Sequence, residues 1–172
     1  MADHHLNEIT IDGKTYPLGH LRSLEYEFTG IDSKDGQTRT FKVRVVFTDH
    51  CYTRIPSPDE VFYEDEVVTD TAKELRIFDR KRYTFSLALP QAVKGLMGTR
   101  CFFGDRNNYF FIKLENGQQF HVYFQVVHIG KGRLLMRIQS AYQTHQKSGL
   151  QSIPFGGILK GVSEGRPPLA RR

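Results

Sequence analysis

Apolar and polar residues alternate over several short stretches of the chain, most regularly in its C-terminal half. Phe110, Ile112 and Leu114 share one parity, as do Phe120, Val122, Phe124 and Val126, and as do Leu134, Met136 and Ile138. A period of two marks strands with one buried face. Asn116-Gly117 separates the first two runs and Gly130-Lys131-Gly132 the second two, so residues 108–142 read as a three-stranded antiparallel meander. Aligning the apolar faces pairs Leu114 with Phe120 across a three-residue loop, and Val126 with Leu134 across the next turn. A slip of one residue would mix the two faces.

Upstream, Phe41, Val43, Val45 and Phe47 alternate with Lys42, Arg44, Val46 and Thr48, and residues 24–28 alternate apolar side chains with Glu25 and Glu27. Both stretches read as strands. Residues 7–17 read as a short hairpin turning at Asp12-Gly13, and Ile55-Pro56-Ser57-Pro58 cannot continue a ladder. Asp79 is placed to cap a helix beginning at Arg80. Phe85, Ala88, Leu89, Ala92, Val93, Leu96 and Met97 keep helical spacing, with Gly98 at the C′ position and Pro90 inside as a kink. Tyr83, Phe85, Leu87 and Leu89 also alternate, which leaves a strand followed by a shorter helix as the second reading.

The expected fold is therefore α+β: antiparallel sheet, one main kinked helix over about 80–97, and the C-terminal meander. Residues 1–142 are expected to form a single domain. Residues 143–172 read as a basic, Gly- and Pro-containing tail, in which only 153–162 is apolar enough to dock.

Composition adds boundaries. With 172 residues, 39% hydrophobic and 25% charged, the chain is long and apolar enough for one packed core. It has no run of about 18 apolar residues, and its first residues lack the basic and apolar regions of a signal peptide. Two cysteines, Cys51 and Cys101, are too few for a disulfide framework. These features favour a reduced, cytoplasmic protein with no membrane partner.

The net charge of +5 conceals a division. Residues 1–75 carry eight basic and fifteen acidic side chains, whereas 76–142 carry eleven basic and three acidic, and 143–172 five basic and one acidic. Seven of the acidic residues fall within 59–74. The pattern suggests a basic surface for an anionic partner and an acidic element that shields it or meets a basic protein. The plainer alternative is mutual neutralisation within one fold.

The outward face of the meander locates candidate chemistry. Tyr109, Phe111 and Lys113 project from the first strand, His121, Tyr123 and Gln125 from the second, and Arg137 and Gln139 from the third. The expected register forms two rows, Lys113–His121–Gln139 and Phe111–Tyr123–Arg137. Aromatic rings stack bases, cations hold phosphates and amides read base edges, which is the chemistry of single-stranded RNA recognition. Metal-independent RNA cleavage needs a base, an acid and cations for the phosphorane-like charge. His121 suits proton transfer, Lys113 and Arg137 phosphate binding, and Tyr123 or His50 the second proton carrier. An antiparallel sheet also has an ordinary solvated face, and that is the competing explanation.

Asp49-His50-Cys51 is the second feature. No Cys-x-x-Cys or His-x-x-x-His spacing supports a metal site, so neither metal nor cofactor is expected. Neighbours on a strand point to opposite faces, so His50 and Cys51 do not form a nucleophile pair there. If the strand of 41–47 extends, His50 shares a face with Lys42, Arg44 and Thr48.

Residues 47–54, Phe-Thr-Asp-His-Cys-Tyr-Thr-Arg, together with 134–142, Leu-Leu-Met-Arg-Ile-Gln-Ser-Ala-Tyr, resemble bacterial proteins labelled as stationary-phase or growth-adaptation proteins. A helix followed by an antiparallel meander over 80–142 is also similar in outline to the barnase/RelE-like RNase toxins. The chemistry of the meander face points to an RNA-directed protein and the resemblance to a bacterial one, with a toxin-like endoribonuclease as its catalytic form and a neutralising or regulatory protein as partner. The alternatives are a non-catalytic nucleic-acid binder and an interaction module using the acidic 59–74 segment.

Overall fold

The computed structural model describes residues 7–32, 35–71, 74–103, 108–113, 119–143 and 151–166. Strands β1 (Glu8–Ile11) and β2 (Lys14–Pro17) form the expected hairpin, whose turn places Asp12 and Gly13 at φ +51° and +70°. Left-handed backbone at both turn positions matches the twist of the flanking strands, and glycine adopts it without a Cβ clash. Strands β3 (Leu24–Ile31) and β4 (Thr38–Phe47) pair antiparallel. The chain then makes a 3-10 turn at Asp49–Cys51 rather than extending β4.

Strands β5 (Thr53–Arg54), β6 (Val67–Thr71) and β7 (Glu74–Phe78) make a small three-stranded sheet, with β7 in the middle. Asp79 then caps α1 (Arg80–Ser86), its carboxylate accepting from the Arg82 amide at 2.9 Å. The expected single kinked helix is two helices: α1 ends at Ser86, and α2 (Leu89–Lys94) begins with Pro90 in its first turn. Proline is tolerated at that position because its missing N–H would have no helical acceptor. Gly98 lies in a 3-10 turn (Leu96–Gly98) rather than serving as a left-handed C′ residue.

Strands β8 (Arg100–Phe103), β9 (Asn108–Lys113), β10 (Gln119–His128) and β11 (Arg133–Gln143) follow, and β9 to β11 are the expected meander. Strand β12 (Ser152–Pro154) pairs with β8 and leads into α3 (Phe155–Ser163). The large sheet has the order β12-β8-β9-β10-β11-β4-β3. Its β11–β4 pair is parallel, which departs from the expected antiparallel arrangement. The whole is α+β, with the helices covering one face.

Contacts on that covered face explain the order. Phe85 of α1 stacks on Phe120 of β10, with centroids 3.6 Å apart. Phe155 of α3 meets Phe28 and Phe124 edge to face. Phe120, Val122, Phe124 and Val126 are all buried, as their parity required. Each such side chain removed from water contributes about 1.5–3 kcal/mol.

Candidate nucleic-acid interface

The register decides which outward side chains meet. Phe120 pairs with Ile112 rather than Leu114, and Val126 with Met136 rather than Leu134. Both connections thus join strands offset by two residues from the expected register. The first spans 114–118, which lies outside the described residues. The second is held by Gly130, Lys131 and Gly132, all at positive φ, with the Arg133 amide donating to the Gly130 carbonyl at 3.0 Å. A shift of two residues keeps every side chain on its expected face but changes its opposite neighbour.

A β-bulge adds a second correction. The β10–β11 register shifts between Tyr123 and Phe124, leaving Gln139 without an opposite residue. Before the bulge Ile138 is buried, and beyond it the buried residue is Ala141, so the strand changes phase. The expected rows Lys113–His121–Gln139 and Phe111–Tyr123–Arg137 therefore do not form. The observed rows are Phe111–His121–Tyr142, Tyr109–Tyr123–Ser140 and Gln125–Arg137–Val46. Lys113 lies opposite Gln119, and the side chains of Tyr109, Lys113, Ser140 and Tyr142 lie outside the described residues.

One end of the outward face is aromatic. The Phe111 ring lies 4.4 Å from the His121 ring and 4.9 Å from Phe102, all measured between centroids. Tyr123 stands beside His121, its hydroxyl 3.4 Å from Nδ1. His121 itself is only 4% exposed, and burial lowers its pKa, so the imidazole is neutral near pH 7. That placement does not suit a side chain meant to exchange protons with a bound phosphodiester. Phe111 and Tyr123 are half-buried, and Gln125 is exposed.

The other end is cationic. Strand pairing places Arg137 beside Val46, Leu135 beside Arg44, and Arg133 beside Lys42. Arg44 and Lys42 stand opposite Glu25 and Glu27 on β3. Lys42 Nζ lies 3.5 Å from Glu27, and Arg44 donates to Ser23 Oγ at 3.5 Å. Four cations against two carboxylates thus occupy the outward surface of three adjacent strands. Lys42, Arg44 and Arg133 are exposed and Arg137 is half-buried.

His50 belongs elsewhere. Because β4 stops at Phe47, His50 sits in the 3-10 turn and not on a face with Lys42 and Arg44. Its Nε2 is 3.8 Å from both Asp49 and Glu74. Burial, reinforced by Arg76, outweighs those carboxylates and lowers its pKa. Cys51 is fully buried and its thiol is pushed up to about 12 by burial, which removes it as a nucleophile.

Around this turn lies a network that sequence reasoning missed. Arg76, 4% exposed, donates to Thr53 Oγ1 at 2.7 Å, to the Thr53 carbonyl at 3.0 Å and to Glu74 at 2.5 Å. Arg82 reaches the same carbonyl at 2.8 Å and the His50 carbonyl at 3.2 Å. Thr53 Oγ1 donates to the Asp49 carbonyl at 2.8 Å, and Thr69 to the Asp49 carboxylate at 2.9 Å. The network ties the small sheet to the 3-10 turn and to α1, which is a structural task. Only an arginine among apolar neighbours in Leu75-Arg76-Ile77-Phe78 signalled it.

No group of His, Cys, Asp and Glu among the described residues is placed to hold a metal ion, and no described helix is long and apolar enough to cross a membrane. A family model described as the YjaZ family matches residues 8–163, most of the chain. The chain belongs to the YjaZ family. The family is bacterial, and its description names no activity. No curated protein and no solved structure matches the chain. The outward sheet face of this YjaZ-family chain must therefore be interpreted from its own side chains.

Proposed function

We propose that the protein binds single-stranded RNA across the outward face of the seven-stranded sheet and holds it without cutting it. The reading rests on one observation: among the described residues, one face of the sheet carries the rings of Phe111 and Tyr123 together with Arg137, Arg133, Arg44 and Lys42. Flat π surfaces accept bases of any sequence, and an adjoining row of cations follows the phosphates. Gln125, opposite Arg137, supplies both a donor and an acceptor for a base edge.

The burial of His121 favours binding over catalysis. Proton transfer requires a group within hydrogen-bond reach of the reacting oxygen, and a 4% exposed imidazole beneath Phe111 does not offer one. The resemblance in outline to the barnase/RelE-like toxins supplies no catalytic residue here.

The test is fluorescence anisotropy with a labelled single-stranded RNA at low salt in EDTA, with gel analysis of the same samples. The expected result is saturable binding and intact RNA, with affinity reduced at least tenfold in Lys42→Gln/Arg137→Gln and in Tyr123→Ala. Absence of binding refutes the proposal. EDTA-resistant cleavage that disappears in His121→Ala replaces it with the endoribonuclease reading. Binding unaffected by these substitutions places the RNA on another surface.

A further inference from the structure

Away from the outward sheet face, the β1–β2 hairpin leans against α1 and leaves an open cleft of about 460 Å³. Ile11, Asp12, Lys14, Thr15 and Tyr16 line it from the hairpin, and Arg80, Tyr83 and Thr84 from the helix. Its floor is apolar and fixed. Ile11 and Tyr16 are buried, and the Tyr16 and Tyr83 rings meet edge to face at 5.2 Å. Tyr83 is held by a hydrogen bond from its hydroxyl to the Pro17 carbonyl at 3.1 Å, and Tyr16 also packs on Phe78.

The rim carries the opposite chemistry. Lys14 and Arg80 are exposed, face the cleft from different elements, and form no ion pair among the described residues. Arg39, Arg54 and Arg76, by contrast, are committed to nearby carboxylates. Lys14 Nζ instead sits 5.2 Å above the Tyr16 ring. Asp12 lines the cleft as well, and its backbone is fixed by the Asp12 amide donating to Asp65 at 2.7 Å.

We infer that this cleft binds a phosphate monoester joined to a flat ring, a nucleoside monophosphate in chemical class. Arg80 and Lys14 hold the phosphate, with the guanidinium fork giving two parallel hydrogen bonds. The ring lies against Tyr83, the half-buried tyrosine of the cleft, and Asp12 accepts from a ribose hydroxyl or a base N–H. The volume falls in the range of about 300–1,000 Å³ usual for small-molecule sites. Two sources present the same group: a free nucleotide and the 5′-phosphorylated end of an RNA strand. No residue of the outward sheet face takes part, so the site stands whether or not that face binds RNA.

Isothermal titration of the full chain with AMP, adenosine, inorganic phosphate and a 5′-phosphorylated RNA trinucleotide tests the inference. AMP is expected to bind saturably and more tightly than adenosine or inorganic phosphate alone. In Lys14→Gln/Arg80→Gln, two exposed positions, affinity should fall at least tenfold while the circular dichroism spectrum stays that of the wild type. Binding of the trinucleotide but not of AMP, lost on removal of its 5′-phosphate, assigns the site to strand ends. Absence of saturable binding by both ligands at millimolar concentration overturns the inference. So does binding that survives in the double variant.

Discussion

Replacing Arg76 by methionine removes a buried cation while keeping much of its volume, and the structure fixes what that should cost. Three hydrogen bonds disappear, to Thr53 Oγ1, the Thr53 carbonyl and Glu74. None of the buried partners is orphaned. The Thr53 carbonyl keeps Arg82 at 2.8 Å, and Thr53 Oγ1 keeps its bond to the Asp49 carbonyl. Glu74 is partly exposed and regains water. The expected loss is therefore about 1–3 kcal/mol, below the 3–5 kcal/mol typical when a buried charge is abandoned. Arg82→Met should cost about 1–2 kcal/mol by the same reasoning. In the double variant the fully buried Thr53 carbonyl loses both donors, and an orphaned acceptor adds about 1–3 kcal/mol beyond the two single effects. Urea denaturation of the wild type, both single variants and the double variant measures this coupling. Additivity within about 0.5 kcal/mol would show that the carbonyl is not shared, and would refute the account of the network.

Three other outcomes are expected. Anisotropy against a single-stranded RNA at increasing salt should give a log–log slope of about −2 to −3, because three or four cations on the outward face neutralise phosphates at about 0.7 per contact; a slope near zero would mean stacking alone. His20, His50 and His121 all have pKa values lowered from 6.5, chiefly by burial, so they bind protons more weakly folded than unfolded. Stability should then fall as pH drops from about 7.5 through 6.5 toward the folded values, and His20→Gln/His50→Gln should flatten this dependence; stability that is constant or rises over that range contradicts it. Cys51 and Cys101 are buried with thiols pushed up to about 12, so neither should react with a thiol reagent in the native protein, and both should react in denaturant. Rapid native labelling of both would disprove this placement.

The strands of the meander were legible because a period of two is written directly into residues such as Phe120, Val122, Phe124 and Val126. Their partners were not. Alternation identifies a face without identifying the neighbour, so the two-residue shifts beside β10 and the parallel β4–β11 pair left no mark in the pattern. The bulge at Gln139 changes the phase of one strand in the middle of a run that looks continuous. Helix α3 was hidden by Gly156, Gly157 and Gly161, each costing about 1 kcal/mol of helix propensity. Packing explains two of them: a Cβ on Gly156 would stand 3.0 Å from Met97 Cε, and one on Gly157 would stand 3.1 Å from Ile153. The outward residues Phe111, Tyr123, Gln125 and Arg137 were found by parity alone. The burial of His121 was not, because it depends on which rings the register brings alongside it.

The most direct test of the sheet-face account is a residue-level footprint of bound RNA, by ultraviolet cross-linking with mass spectrometry or by amide chemical-shift mapping. The account predicts that the footprint falls on the outward positions of β4, β10 and β11, including Lys42, Arg44, Tyr123, Gln125 and Arg137. A footprint on the helix-covered side, or on the small three-stranded sheet around Arg76, would contradict it.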